Sequence, residues 1–502
     1  MSALSNLMGG FAVAFSVQNL LYCLAGTVLG TLVGVLPGIG PTSAIAILLP
    51  VTAYLPPMPA IIMLAGIYYG AMYGGSTTSI LLNMPGEVAS VPTCLDGYEM
   101  AKQGRAGPAL AISAISSFLA GTISLLGLTF FAPSLANAAL VFGPPEYFSL
   151  MVFALTMVIN LSGKDILKGF ISALIGFLVS VIGLDAVSGS ARFTFGTIHL
   201  MGGISFISVI IGLFAIAEIL VNTEESVIAI FSDRIKGLMP TMSDLKSSFG
   251  AILRSTIIGF FLGLLPGLST GITAFMAYDV EKRISKHPEK FGKGAIEGVA
   301  APEGANNSAT SGAFIPLLSL GIPPGPALAV LLGAFMIYGL QPGPLLFEHH
   351  SGFAWGLIAS MYIGNVMLLF LNLPLVGIWV KVCRIPYAIL SPLVLIFSFI
   401  GAFSVRNSLF DVWLAIIFGI LGYLMKKLNY PSAPLVLTVV LAPRLEGALR
   451  ESLNMAMGSP LILVSRSISL GLIVAAGIVT VLSLWARRKH LRIVEGTGED
   501  KL

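Results

Sequence analysis

The sequence predicts an all-α polytopic membrane protein of about ten to twelve transmembrane helices, built as two inverted-topology repeats interrupted by Pro-Gly breaks. Three observations predict it. Of 502 residues, 56% are hydrophobic and only 10% charged, whereas soluble domains carry about 25% charge. Apolar runs of the roughly 17–25 residues that a helical span requires recur at 109–133, 143–160, 166–184, 200–221, 352–372, 386–403, 409–425 and 461–486. A broken apolar motif also returns half a chain later: "GTLVGVLPG" from Gly30 and "GFFLGLLPG" from Gly259 share five of nine letters at an offset of 229. The runs are continuous rather than alternating, which argues against an outer-membrane β-barrel.

Taken in order, the chain begins with an apolar segment that has no Lys or Arg before Lys102. It lacks the basic leader of a cleaved signal peptide and is expected to be retained. The first repeat covers 1–221, a charged amphipathic connector on the membrane surface 222–250, the second repeat 251–486, and a basic cytoplasmic tail 487–502. Each repeat carries a Pro-Gly break, a small-polar run and a second Pro-Gly break. At the 229-residue offset Gly75 falls on Gly304, while "LNMPG" and "LGIPPG" match at 238, implying nine extra residues in the second repeat.

Loop charge sets the relative orientation of the repeats. In the first, 52–59 is free of Lys and Arg and the basic pair Lys102 and Arg105 follows the second break. In the second, Arg283, Lys286, Lys290 and Lys293 follow the first break, and 294–380 has no Lys or Arg. Basic loops stay in the cytoplasm, so the two repeats run in opposite directions through the membrane.

Proline removes a donor and disfavours helix in the residue before it, so Leu36-Pro37-Gly38 and Leu265-Pro266-Gly267 should each end a helix. Non-helical backbone at membrane depth persists only where protein buries it or a cavity hydrates it, and a matched pair of breaks points to a central binding site. Gly40 before Pro41, and Ser269 or Thr270, read as starts of new helices whose N–H groups and positive dipole ends suit an anion. The candidate substrate-binding residues are therefore Pro37, Gly38 and Gly40, with Pro266, Gly267, Ser269 and Thr270. The hydroxyls and amides of Ser76, Thr77 and Thr78, of Asn83 before the second break, and of Asn306, Asn307 and Ser308 complete the set. Glu303 and Asn307 are candidates for coupling a cation, since an intramembrane carboxylate is a functional hypothesis by default. Plainer alternatives stand beside these: re-entrant hairpins that only shape packing, hydroxyls bonded to the carbonyl four residues back, and Glu303 paired with a buried Arg. Gly66, Gly70 and Gly74 read as a small-residue packing face. Asp165, Asp185, Glu218 and Asp411 are assigned no role.

Other classes find little support. Cys23, Cys94 and Cys383 form no metal or disulfide pattern, and the five histidines show no ligand spacing. No cofactor is expected, and no metal beyond a coupling Na+. A net charge of +4 over this length does not indicate nucleic acid. There is no phosphate-binding G-x-x-x-x-G-K-[ST] loop. "GLSTG" at 267–271 spells a nucleophile elbow around Ser269 but lacks the strand-turn-helix setting, so an intramembrane hydrolase is a weak alternative.

The stretches "GVLPGIGPTSAIAILLP", "YYGAMYGGSTTSILLNMPGE", "DGYEMAKQGRAGPAL", "APEGANNSATSGAFIPLLSLGIPPGPA" and "GLQPGP" together resemble the large (TctA-type) membrane subunit of the tripartite tricarboxylate transporters, from about residue 18 to 460. The resemblance implies a secondary active transporter of a bacterial inner membrane that imports a citrate-like di- or tricarboxylate with Na+ or H+. It also implies two partners, a small four-span membrane subunit and a periplasmic solute-binding protein. The alternative from another class is an anion-conducting channel.

Overall fold

A computed structural model describes residues 3–36, 40–52, 54–161, 165–185, 188–224, 237–383 and 387–497, with the side chains of 387 and of 486–497 excepted. It is helical almost throughout, and the only sheet among the described residues is the two-residue pair Gly183–Leu184 and Ala191–Arg192. Ten helices among the described residues are long and apolar enough to cross a membrane. They include the expected runs as Ala106–Ala139, Pro144–Leu161, Phe206–Glu224, Ser351–Asn372, Ala388–Arg406, Leu409–Lys427 and Ser467–Trp485. The expected run 166–184 yields the shorter helix Ile166–Ser180, and Gly183–Leu184 turns into the small sheet.

Two helices outside those ten form the interior. Pro57–Leu82 has 26 residues, about 39 Å at 1.5 Å per residue, and Glu297–Gly312 has 16. Gly, Ser, Thr and Asn dilute their hydropathy, yet both are buried on nearly every face, as expected of helices that meet protein rather than lipid or water all round.

Local chemistry sets their partners' ends. Ser16 caps Val17–Val35 by accepting from the Asn19 N–H, and that helix stops at Leu36, extended at φ −90°, ψ 111°, because Pro37 excludes helix before it. Thr241 and Asp244 form a reciprocal capping box at the start of Met242–Gly263.

Glycine allows these helices to meet backbone to backbone. A Cβ on Gly26, Gly30 or Gly34 would stand 2.3–2.5 Å from the carbonyl oxygens of Met63, Ile67 and Ala71, and one on Gly74 would stand 2.3 Å from that of Thr31. In the same manner a Cβ on Gly259 or Gly263 would stand 2.3–2.4 Å from the carbonyl oxygens of Ala305 and Ala309. Small-residue contacts of this kind replace the hydrophobic drive that lipid cannot supply.

The chain divides into two compact units. The first holds Met1–Ala139 and Ile204–Leu428, the second Leu140–Gly203 and Asn429–Leu502. In the second, Ser432–Met455 packs on Pro144–Leu161 and Ile166–Ser180. Buried Asp185 accepts from Arg450 at 2.7 Å, Arg192 joins both Asp185 and Glu446, and buried Glu146 accepts from Arg466. Of the expected connector 222–250, residues 225–236 lie outside the described residues, as do 498–502 of the expected tail.

Candidate functional site

A cavity of about 480 Å³ lies in the first unit, and segments from all four chain breaks border it. Gly40 to Ser43 belong to the first break of the first half, and Pro85 to Val88 to its second. Leu268 to Thr270 and Pro324 to Leu328 are the corresponding segments of the second half. Positions from Gly40 to Leu328 in the sequence thus share one wall.

Each segment is shaped by its own residues. The Gly40 carbonyl accepts from the Ala44 N–H at 3.2 Å, opening the helix Pro41–Thr52. Ser43 donates to the Phe214 carbonyl at 2.8 Å and ties that helix to Phe206–Glu224. In the second half the helix Met242–Gly263 ends, Gly267 turns at φ +86°, and its N–H donates to the Pro324 carbonyl at 2.9 Å. That bond joins the first and second breaks of the half. Ser269, rather than Thr270, is the cap: its hydroxyl accepts from the Ile272 N–H, and Thr270–Ile284 begins behind it.

The second breaks share a different geometry. Asn83 and Gly321 both terminate helices in the left-handed region, at φ 56° and 70°. Gly86 lies so close that a Cβ there would meet the Gly34 carbonyl oxygen at 2.0 Å. Glu87 then caps the turn Val88–Ser90 by accepting from the Ala89 N–H at 2.8 Å, and Gly325 precedes Pro326–Ile337 with Pro326 at the first turn.

Three helices of twelve or more residues therefore begin at the cavity, Pro41–Thr52, Thr270–Ile284 and Pro326–Ile337. Their first-turn N–H groups lack partners within the helix and, with the dipole, favour an anion. Tyr68, Met72, Phe214 and Leu328 make much of the remaining wall apolar. The charged side chains among the described lining residues are Glu87, Glu218 and Lys426, and Lys426 is ion-paired with Glu218.

Behind the cavity lies a buried polar cluster. Glu303, 1% exposed, accepts from Thr93 at 2.5 Å, Ser76 at 2.6 Å and Ser117 at 3.4 Å. Among the described residues no Lys, Arg or His stands within ion-pair distance of it. Asn307 donates to Ser117 at 2.7 Å and to the Glu303 carbonyl. Asn306 reaches the cavity edge by donating to Glu87 at 3.1 Å, while its own Oδ1 is buried without a hydrogen-bond partner.

The predicted residues thus fall into two groups. Gly40, Ser269 and Thr270 border the cavity, and Pro266 and Gly267 form the turn that leads into Ser269 and Thr270. Pro37 and Gly38 lie outside the described residues. Ser76, Thr77, Thr78, Asn306, Asn307, Ser308 and Glu303 are buried beside it. Thr78 and Ser79 bond back to the Gly75 carbonyl, and Ser308 to the Thr256 carbonyl at 2.6 Å. Asn83 is an exposed helix terminus outside the cavity lining. Sequence reasoning passed over Glu87, Glu218 and Lys426. Glu87 follows Pro85-Gly86 directly, a cap position that favours an acceptor, and Glu218 ends an apolar run, where a carboxylate is itself a signal. Lys426 gives none, since Lys426-Lys427 closes a span as many basic pairs do. Among the described residues no group of three or more His, Cys, Asp or Glu could hold a metal.

A model of the tripartite tricarboxylate transporter TctA family matches residues 20–437. An uncharacterized 52.8 kDa protein in the TAR-I ttuC' 3' region of Agrobacterium vitis is 46% identical over 482 residues, 96% of each chain. An uncharacterized protein in the TAR-II ttuC' 3' region of the same organism is 46% identical over 226 residues, 45% of this chain and 93% of that one. No solved structure matches. The family is one of transporters, not of enzymes.

Proposed function

The chain belongs to the tripartite tricarboxylate transporter TctA family, and on that premise we propose that it moves a small citrate-like di- or tricarboxylate across a bacterial inner membrane by alternating access, in symport with Na+ or H+. A periplasmic solute-binding protein delivers the substrate, and a small four-span membrane subunit completes the assembly. Family membership makes the chain a multi-pass subunit of a transporter with further subunits.

The observation that carries it is the convergence of four interrupted segments on one cavity, with three helix N-termini beginning there. Its volume suits a small organic anion, and no single break could surround one.

The inverted-repeat reading draws support from paired contacts. Gly30 meets Ile67 as Gly259 meets Ala305, and Gly34 meets Ala71 as Gly263 meets Ala309. The first members match at 229 and the second at 238, so the nine extra residues fall between Gly263 and Ala305, and Gly75 corresponds to Ala313 rather than to Gly304. Gln103, beside the basic pair of the first half, donates to the Lys293 carbonyl in the basic loop of the second at 2.8 Å. Basic loops that touch share one side of the membrane, as inversion requires.

Cation coupling follows from charge. Two carboxylates and one ammonium border the cavity among the described residues, and with Glu218 paired to Lys426 the second carboxylate, Glu87, is left to take a proton or a cation as the anion enters. Glu303 in its hydroxyl shell and Asn307 are the coupling candidates, with the unpaired Asn306 Oδ1 one helical turn from Glu303 as a further oxygen.

Uptake by the reconstituted three-part system against a carboxylate panel, with Na+ and H+ gradients imposed separately, tests this reading. Uptake should saturate, require the binding protein and stop without one of the two cations. Flux linear in the gradient and indifferent to the binding protein would make the protein a channel instead.

A further inference from the structure

Lys426 brings the ammonium among the charged groups at the cavity, and its Nζ donates to the Glu218 carboxylate. The helices bearing the two are set by backbone contact. A Cβ on Gly422 would stand 3.0 Å from the Leu213 Cα, and one on Gly212 would stand 2.6 Å from the Ala415 carbonyl oxygen. Glu218 comes two residues after Ile211–Ile216, where the helix widens into π-type turns, an irregularity frequent at functional sites. The pair is not sealed into the core: the Lys426 and Glu218 side chains keep 33% and 25% of their surface open.

We propose that Lys426 receives one carboxylate of the transported anion, and that Glu218 stands in for that carboxylate while the cavity is empty. The inference rests on the carboxylate-transport reading above. A lysine facing an apolar wall with no anion is costly, so an empty site needs a resident partner to keep the ammonium charged and aimed. An arriving carboxylate offers Lys426 the same bond that Glu218 offered, so exchange proceeds in either direction. A transporter needs that reversibility, because it must release what it binds. Helix N–H groups elsewhere on the wall take a second carboxylate, so anions with two or more carboxylates gain over those with one.

Neutralising the two partners separately and together separates this role from a structural bridge. Uptake of labelled citrate, succinate and acetate is measured in vesicles holding the complete transporter, for wild type, Lys426→Met, Glu218→Gln, the double variant and Lys427→Met. Lys427 pairs with Glu224 away from the cavity lining and serves as the control. For the di- or tricarboxylate that the wild type carries, Lys426→Met should raise the half-saturating concentration at least fivefold, Glu218→Gln should lower it by removing the competing carboxylate, and Lys427→Met should leave it unchanged. The double variant leaves no orphaned charge to hinder folding, and it should stay as impaired as Lys426→Met. A double variant within fivefold of wild type makes the pair a structural bridge and overturns the inference alone. Wild-type vesicles that carry none of the di- and tricarboxylates of the uptake panel overturn the carboxylate reading, and this inference with it.

Discussion

Glu303 is a carboxylate held by hydroxyls alone among the described residues: Ser76, Thr93 and Ser117 all donate to it. A buried acid bound by a cation would be locked in its charge, whereas one bound by hydroxyls can gain and lose a partner ion without breaking an ion pair. Glu303→Gln keeps the shape and most hydrogen bonds but cannot titrate, so the variant should fold, by an unchanged size-exclusion profile, and lose at least tenfold of its cation-stimulated uptake. Wild-type cation dependence in that variant would remove Glu303 from the coupling role. Glu303→Ala instead leaves the Ser76 and Thr93 hydroxyls unpaired, at about 1–3 kcal/mol each, and should lower the unfolding temperature as well. This residue was legible in the sequence because a carboxylate amid Ala, Gly and Asn announces itself. Its partners were not, since Ser76, Thr93 and Ser117 sit on three other helices and nothing in a hydroxyl's neighbours along the chain says what it faces.

At the scale of elements, the glycine stripes and the Asp96 contact each support a prediction. Gly34→Ala would put a methyl 2.3 Å from the Ala71 carbonyl oxygen. Backbone on both sides leaves no side chain to move aside, so overpacking of about 1–3 kcal/mol or more is expected. Thermal unfolding in detergent should show Gly34→Ala and its counterpart Gly263→Ala destabilised, with Gly9→Ala, where nothing lies within 4 Å, unchanged or slightly stabilised. Equal stability for all three would refute close backbone packing. Asp96 is fully buried on Val91–Lys102, and its Oδ1 accepts from the N–H groups of Gly292, Gly294 and Ala295 at 2.8–2.9 Å while Oδ2 accepts from the Tyr278 hydroxyl. It clamps the lysine-rich loop that leads into Glu297–Gly312. Asp96→Ala orphans four donors, three backbone N–H groups and the Tyr278 hydroxyl, each worth about 1–3 kcal/mol, and trypsin should then cut faster at the exposed Lys286, Lys290 and Lys293; Asp96→Asn, which retains an acceptor, should fall between. A cleavage rate equal to wild type in Asp96→Ala would show the clamp to be dispensable. The helix stops and Gly66, Gly70 and Gly74 were readable beforehand. The clamp was not, because its acceptor and its donors lie almost 200 residues apart.

For the molecule as a whole, the amino-acid sequence by itself determined the class, the near-complete set of spans, the four breaks and the transporter family. These depend on local quantities: twenty apolar residues cross a bilayer wherever they stand, and a proline after a leucine stops a helix regardless of its neighbours. Gly40 and Ser269 could be named as helix starts for the same reason. Only the tertiary structure decided which of the polar residues meet the cavity and which lie behind it. Ser76 and Gly86 are ten residues apart, yet one turns inward to Glu303 and the other borders the cavity, because helix rotation is set by packing of glycine on backbone and not by the residue itself. Glu87, Glu218 and Lys426 likewise became neighbours through folding alone. A charge means little along the chain; its consequence comes from the wall it shares and the groups that face it.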